Sequence, residues 1–355
     1  MMNWILDLRL FDAGTLVNAT GNYINAYTGA VTAFDTNNTL TPTMKEFYDT
    51  DLLDNARDKL IFAQLGRKEP LPANHGMTIE WRKFNTLPMF DQLTEGVIPT
   101  GKKLGMTKIT VSLAQYGQFF AVSDRLDLHA YDDIIGGGVE ELGAAGGKTQ
   151  DLLVRAVLMG NTNILFADAY TTAGVYSSTP TTESELQTAL ATKVANLTPD
   201  MINKAVTELR VSNAPAMQGG KYLAVVHPHI AYDLRKHPDW LEAHKYARPE
   251  EIFTGEIGEL HGVRFIESTL APVIKSNTQT YATYKTMFFG KDAFAVVDVD
   301  GGNMETIVKG KEHGGPLNQF STVGAKFETA SKILYQDRMI TVWSGSSYSA
   351  TDSAN

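Results

Sequence analysis

His227-Pro228-His229, followed by His237 and His244, is the densest group of histidines in the chain. Alternate imidazoles on an extended segment could face one metal ion, with Asp233 or Asp239 completing the ligand set. Pro228 breaks that alternation, and the spacing matches no hydrolase signature. Capping or surface histidines are the plainer reading, and a metal-dependent hydrolase stays a remote alternative. Asp298-Val299-Asp300-Gly301-Gly302-Asn303 opens like a calcium loop. Such a loop needs an acid at its twelfth position to close the cage, and that position is Lys309, so a tight strand-to-strand turn explains it better. Gly147-Lys148-Thr149 has the ending of a phosphate-cradling loop, whose first glycine should stand five places before Gly147. Position 142 is Leu, and no strand leads in. No serine occupies a nucleophile elbow, and no two carboxylates pair in an acid–base arrangement. No catalytic residue, cofactor or metal is expected, and the chain is read as a non-enzyme.

The composition points the same way. An apolar share of 43 % in 355 residues is enough to bury a sizeable core, as two lobes or as one large domain with extensions. The 31 basic and 40 acidic side chains leave a net charge of −9. A protein that grips nucleic acid by its phosphates carries a basic surplus or stripe; here the densest basic spot is Lys102–Lys103. The absence of cysteine removes disulfides, thiolate nucleophiles and Cys-ligated metals together, and fits a fold made in a reducing cytoplasm. The opening residues Met1 to Arg9 lack the basic leader and apolar run of a signal peptide. No apolar stretch reaches the roughly 18–20 residues of a membrane span. An unexported protein without membrane contact is expected.

Residues 12–43 are rich in Asn, Thr, Gly and Ala, with isolated aromatics at Tyr23, Tyr27 and Phe34. That composition cannot close a core, so an arm ordered against something else is expected. Helical spacing of Met44, Phe47, Leu52, Ala56, Leu60 and Ala63 predicts a helix over 44–65, ended by Gly66. After Gly76 the period becomes two: Met77, Ile79 and Trp81 alternate with polar residues, and a second strand is predicted over 107–122. Together, 76–122 read as a long hairpin with a wide end holding Lys102 and Lys103. Those lysines are expected to be solvated charges that meet acid on a partner. A two-stranded ribbon is marginal alone, so something must cover it.

A helical region follows over 123–159, weakened by glycines at 136–138, 143, 146 and 147 that imply close packing or a bend. Thr198-Pro199 opens another helix. Short strands are expected at 222–226 and 263–267, with a helix at 228–235 between them, so that 182–275 read as an α+β lobe. The remainder is mainly β: 286–290, 294–299, 305–308 and a long stretch over 323–343 with a turn near 335–338. A polar tail, 344–355, closes the chain.

This order of pieces resembles the major capsid protein fold of tailed bacteriophages, the Hong Kong 97 type. Val225-Val226-His227-Pro228 before a short helix is similar to the family's axial-domain strand and helix. Gly255-Glu256-Ile257-Gly258, continuing through Gly262-Val263-Arg264-Phe265-Ile266-Glu267-Ser268, resembles another stretch of that domain. Val154 to Thr162 resembles the spine-helix exit of the branch typified by the podovirus N-four, and Lys326 with Ala330 to Arg338 resembles the closing strands. The resemblance covers roughly 45–343. It implies an α+β fold with an N-terminal arm (1–43), a first part of the peripheral (P) domain (44–75), an extended E-loop hairpin (76–122), a long spine helix in the P-domain (123–181), an inserted α+β axial (A) domain (182–275), and P-domain strands with the tail (276–355).

The resemblance further implies a major capsid protein that self-assembles, through hexamers and pentamers, into an icosahedral head shell. Such a shell would form in the bacterial cytoplasm, reside in the virion, and enclose double-stranded DNA as a wall without specific grip. Portal, and separate scaffolding or decoration proteins, are the implied partners. Trp81, Phe84, Met89, Phe90, Lys102 and Lys103 on the E-loop, and Tyr23, Tyr27 and Phe34 on the arm, are the expected subunit-interface residues. An encapsulin-like compartment shell is the alternative with the same fold. Two family features lack a counterpart: a long charged N-terminal scaffolding segment, and a lysine–asparagine cross-linking match.

Overall fold

The computed structural model of the chain describes residues 22–24, 31–33, 60–71, 76–93, 95–96, 98–129, 134–240, 258–275, 280–299, 304–310, 317 and 319–355. The first 55 residues form a unit of their own; within it β1 (Asn22–Ile24) pairs antiparallel with β2 (Val31–Ala33). The second unit opens with α1 (Phe62–Leu65) and runs through β3 (Arg67–Leu71), β4 (Thr78–Phe84), β5 (Met106–Ser112), β6 (Ala114–Ser123), α2 (Asp124–His129) and the long α3 (Ile134–Leu158). Next come β7 (Ile164–Phe166), β8 (Ala169–Tyr170), β9 (Tyr176–Ser178), α4 (Glu183–Thr192), α5 (Pro199–Val211), β10 (Tyr222–Val226) and α6 (Pro228–Lys236). The chain finishes with β11 (Glu259–Leu260), β12 (Val263–Glu267), β13 (Val273–Ile274), β14 (Thr283–Phe289), β15 (Phe294–Val299), β16 (Glu305–Lys309), β17 (Phe320–Ile333) and β18 (Met339–Ser344).

Two sheets carry the second unit. The seven-stranded sheet runs β11-β12-β10-β14-β18-β7, with β13 beside β14. Both of its faces are covered, which is why its central strands read as near-continuous apolar runs. Ala224, Val226, Phe288, Ile340 and Val342 point to one face, against Ile202, Leu209, Ile230 and Leu234 of α5 and α6. Val225, Met287, Phe289 and Met339 point to the other, against Phe62 of α1 and Val154 and Leu158 of α3. The five-stranded sheet sets β17 between β16, β15 and β6, with β3 parallel to β15. The N-terminal half of α3 packs on it through Leu142, facing Val323 and Ala325. One helix thus serves both cores.

The glycines of α3 answer to close packing. A Cβ on Gly138 would stand 2.3 Å from the Phe120 ring, and one on Gly147 2.5 Å from Leu60. Local caps explain the shorter helices. Thr182 and Thr198 accept backbone N–H groups at the starts of α4 and α5, the latter with Pro199 in its first turn.

Several sequence expectations need correction. The strand predicted over 107–122 is two strands, broken at the buried Leu113, whose N–H donates to the Met77 carbonyl. β5 pairs with β4, while β6 leaves the hairpin and pairs along ten residues with β17. Periodicity cannot see this, because both halves alternate in the same way. Within the helical region 123–159 lie α2 and α3, with 130–133 outside the described residues; of the helix predicted over 44–65, Phe62–Leu65 is helix and 44–59 lie outside the described residues. The strands within 182–275 share one sheet with β7, β14 and β18. β14 begins at Thr283, three residues before the predicted strand, because Thr283, Tyr284 and Lys285 are buried despite their polarity.

Candidate functional site

The hairpin of β4 and β5 presents residues 85–105 at its far end. Its base is well fixed. Phe84 pairs with Met106, the Asn85 N–H donates to the Gly105 carbonyl at 3.0 Å, and the Thr107 hydroxyl donates to Asn85 Oδ1 at 2.7 Å. On one face, Ile79, Trp81 and Val111 pack against Leu113, Val297 and Ala330. On the other, Arg82 and Lys108 both pair with Glu80, and hydrogen bonds from these two cations hold its carboxyl below the usual range.

Beyond that base the apolar side chains face solvent. Met89 is 92 % exposed, Phe90 101 % and Ile98 93 %, and Phe84, Leu87, Leu93 and Leu104 are also exposed. These large apolar groups lie exposed together in one stretch of chain. Lys102 pairs with Asp91 at 2.8 Å within the same stretch, and Lys103 is exposed. Trp81 is half-buried in its own subunit, because it faces the five-stranded sheet. Of the arm residues, Tyr23 lies in β1, and Tyr27 and Phe34 lie outside the described residues.

The histidine group is a structural knot. His227 caps α6, its Nδ1 accepting the His229 N–H at 3.3 Å, and His237 Nδ1 accepts the Asp239 N–H at 3.3 Å. Asp233 accepts from Ser347, and His244 lies outside the described residues. Among the described residues no group of three or more His, Asp or Glu side chains is placed to hold a metal. Asp298 accepts from Gln150 at 3.3 Å, and 300–303 lie outside the described residues. Gly147-Lys148-Thr149 is a turn of α3, with the Thr149 hydroxyl donating to the Ala145 carbonyl.

Burial, and then the neighbouring His229 ring, pull His227 down to about 4. The folded chain keeps this ring neutral where the unfolded chain protonates it. Stability from His227 is therefore complete above about 6.5 and is lost as pH falls toward 4, by about 3 kcal/mol in all. His227→Asn keeps a good capping side chain and removes the titration. Urea denaturation at pH 7 and pH 4.5 should show a much smaller acid loss in that variant; equal losses in both chains would count against this assignment.

Two features escaped sequence reading. Asp151, fully buried on α3, accepts the backbone N–H groups of Ala63 and Ile61 at the start of α1. The tail beyond β18 folds back and bonds to α6 and β14. A charged residue on an otherwise apolar helix stripe was the only signal for the first. The second left no local signal.

A family model described as phage capsid protein matches residues 107–343, more than half of the chain. Solved structures share the fold at low identity. The capsid of Helicobacter pylori bacteriophage KHP30 has a TM-score of 0.67 at 11 % identity, over 88 % of this chain and 100 % of that one. The capsid of cyanophage Pam1 has 0.65 at 13 %, over 88 % and 99 %. Mycobacterium phage Che8 gives 0.61 at 16 %, over 86 % and 98 %. Among curated proteins no sequence match is found. The chain belongs to the phage capsid protein family, with the Hong Kong 97-type fold of a tailed-phage major capsid protein that forms the head shell.

Proposed function

We propose that the chain builds its shell as hexamers and pentamers, and that the hairpin end at 85–105 lies over a neighbouring subunit. The observation that carries this reading is the run of large apolar side chains around Phe90, anchored at a rigid base and wet in the lone subunit. Phe84, Met89 and Phe90 supply the apolar contact, while Lys103, and Lys102 on leaving its Asp91 partner, meet acid on the neighbour. On this reading the arm at 1–43, with Tyr23, Tyr27 and Phe34, clamps a second neighbour. Closure follows from the angle between heterologous contacts.

The work is done by association and needs no catalytic group. A net charge of −9 suits a wall that encloses double-stranded DNA under its own counterions, and keeps free subunits mutually repulsive until they meet. Assembly takes place in the host cytoplasm, around a portal and with separate scaffolding or decoration proteins as partners. Expression of the chain alone, followed by negative-stain microscopy and sedimentation, is the direct test. Closed shells, rings or tubes are expected. A discrete dimer that stays a dimer across concentration and salt would sink the proposal.

A further inference from the structure

Residues 345–355 leave β18 and return across the first turn of α6 and the start of β14. None of the buried apolar side chains comes from this segment, so polar contacts hold it. Ser347 gives its backbone N–H, at 2.9 Å, and its hydroxyl to the Asp233 carboxylate. The Ser346 hydroxyl donates to the His229 carbonyl, and Lys275 Nζ donates to the Thr351 carbonyl at 3.0 Å. Asn355 gives its amide to the Thr269 and Ala271 carbonyls at 3.0 Å each, and its own amide oxygen accepts from Arg155 at 2.9 Å.

Asp352 is the centre of the set. Its Oδ2 accepts the Tyr284 hydroxyl at 2.6 Å and lies 2.6 Å from His229 Nδ1, while Oδ1 accepts the Ser349 hydroxyl at 2.6 Å. Tyr348 stacks on the His229 ring with centroids 4.5 Å apart.

We propose that residues 345–355 are a proton-released strap, seated on α6 and β14 while Asp352 is ionised and freed when it is protonated. The groups facing Asp352 are Tyr284 from β14, His227 and His229 at the start of α6 with Asp233 further along it, Ser349 from the strap, and Lys275 beside it. Burial alone would raise the Asp352 carboxyl. The Ser349 and Tyr284 hydroxyls, and then the two imidazoles, outweigh it and hold the group below the usual range. Charge-assisted hydrogen bonds are roughly twice as strong as neutral ones, so protonation weakens every bond to this carboxylate at once. A carboxyl lowered in the fold gives stability above its ordinary value and withdraws it as pH falls through the lowered one.

The chain has no cysteine, so Ala354→Cys, at an exposed position, takes a single fluorophore whose anisotropy reports strap motion. Circular dichroism on the same samples follows the fold. Anisotropy should be high at pH 7 and fall with a midpoint below about 3.9, the ordinary aspartate value, while the dichroism stays native. A fall that comes only together with loss of dichroism would overturn the strap. Asp352→Asn provides the arm that does not need acid. At pH 7 it should already show the low anisotropy of the acidified parent with native dichroism, and a value equal to the parent's at pH 7 would overturn the role given to Asp352.

Discussion

Chains lacking residues 86–104 are expected to fold as stable subunits and to form no shells. The deletion joins Asn85 directly to Gly105, which already meet through a backbone hydrogen bond next to the Phe84–Met106 pair. Asn-Gly is the favoured sequence of a two-residue hairpin turn, so β4 and β5 keep their register. The anchor of Ile79, Trp81 and Val111 on the five-stranded sheet is untouched. What disappears is the exposed group of Met89, Phe90, Leu93 and Ile98. At roughly 1.5–3 kcal/mol for each such side chain fully buried, their covering by a neighbour contributes about 6–12 kcal/mol per subunit. The entropy cost of association is of the same order, so the loss tips the balance against assembly. Sedimentation and negative stain read the shells, and thermal melting of the subunit reads the fold. Intact shells from the deleted chain would refute the role given to this loop.

The second large effect is at Asp151. α1 has four residues and cannot persist alone. It is held by Phe62 in the core and by Asp151, whose Oδ1 accepts the Ala63 N–H at 2.8 Å and Oδ2 the Ile61 N–H at 3.3 Å; the Phe62 N–H also bonds to this carboxylate. Asp151→Ala strands three buried amide donors. At about 1–3 kcal/mol for each donor left unsatisfied, less what the turn recovers by shifting, the expected loss is about 3–5 kcal/mol. Asp151→Asn keeps one acceptor and should lose much less.

The pH dependence separates charge from hydrogen bonding. Burial raises the Asp151 carboxyl, against the pull of the Ala63, Ile61 and Phe62 amides and of Arg155. A carboxyl raised in the fold gives its full stability below the ordinary value and loses it as pH climbs through the raised one. The parent's lead over Asp151→Asn should therefore narrow from acid toward neutral pH. Urea denaturation of unassembled subunits measures both. An alanine variant within 1 kcal/mol of the parent would show that α1 is held by Phe62 alone.

Where one stretch of chain carries its own signal, it was enough by itself. The alternation of Ile79 and Trp81 gave β4, Thr198-Pro199 gave the start of α5, and the turn at 335–338 divides β17 from β18 where polar residues interrupt the apolar run. Glycines in an otherwise helical stripe implied close packing or a bend, and it is Phe120 and Leu60 that press on α3 there. The order of these elements was enough to point to the capsid family. Partnerships across long separations were decided only by the tertiary structure. β6 and β5 carry the same alternation, and only the arrival of β17, some 200 residues later, breaks them apart at Leu113. Lys285 looks like a surface residue. It is buried 3.8 Å from the centre of the Trp343 ring, and that burial lowers it to about 8. Asp151 reaches back about 90 residues to cap α1, and Asp352 closes on Tyr284 and His229 from the end of the chain. Periodicity records which face of a segment is buried. It does not record which distant segment buries it, and polar side chains that meet partners far along the chain leave no local pattern.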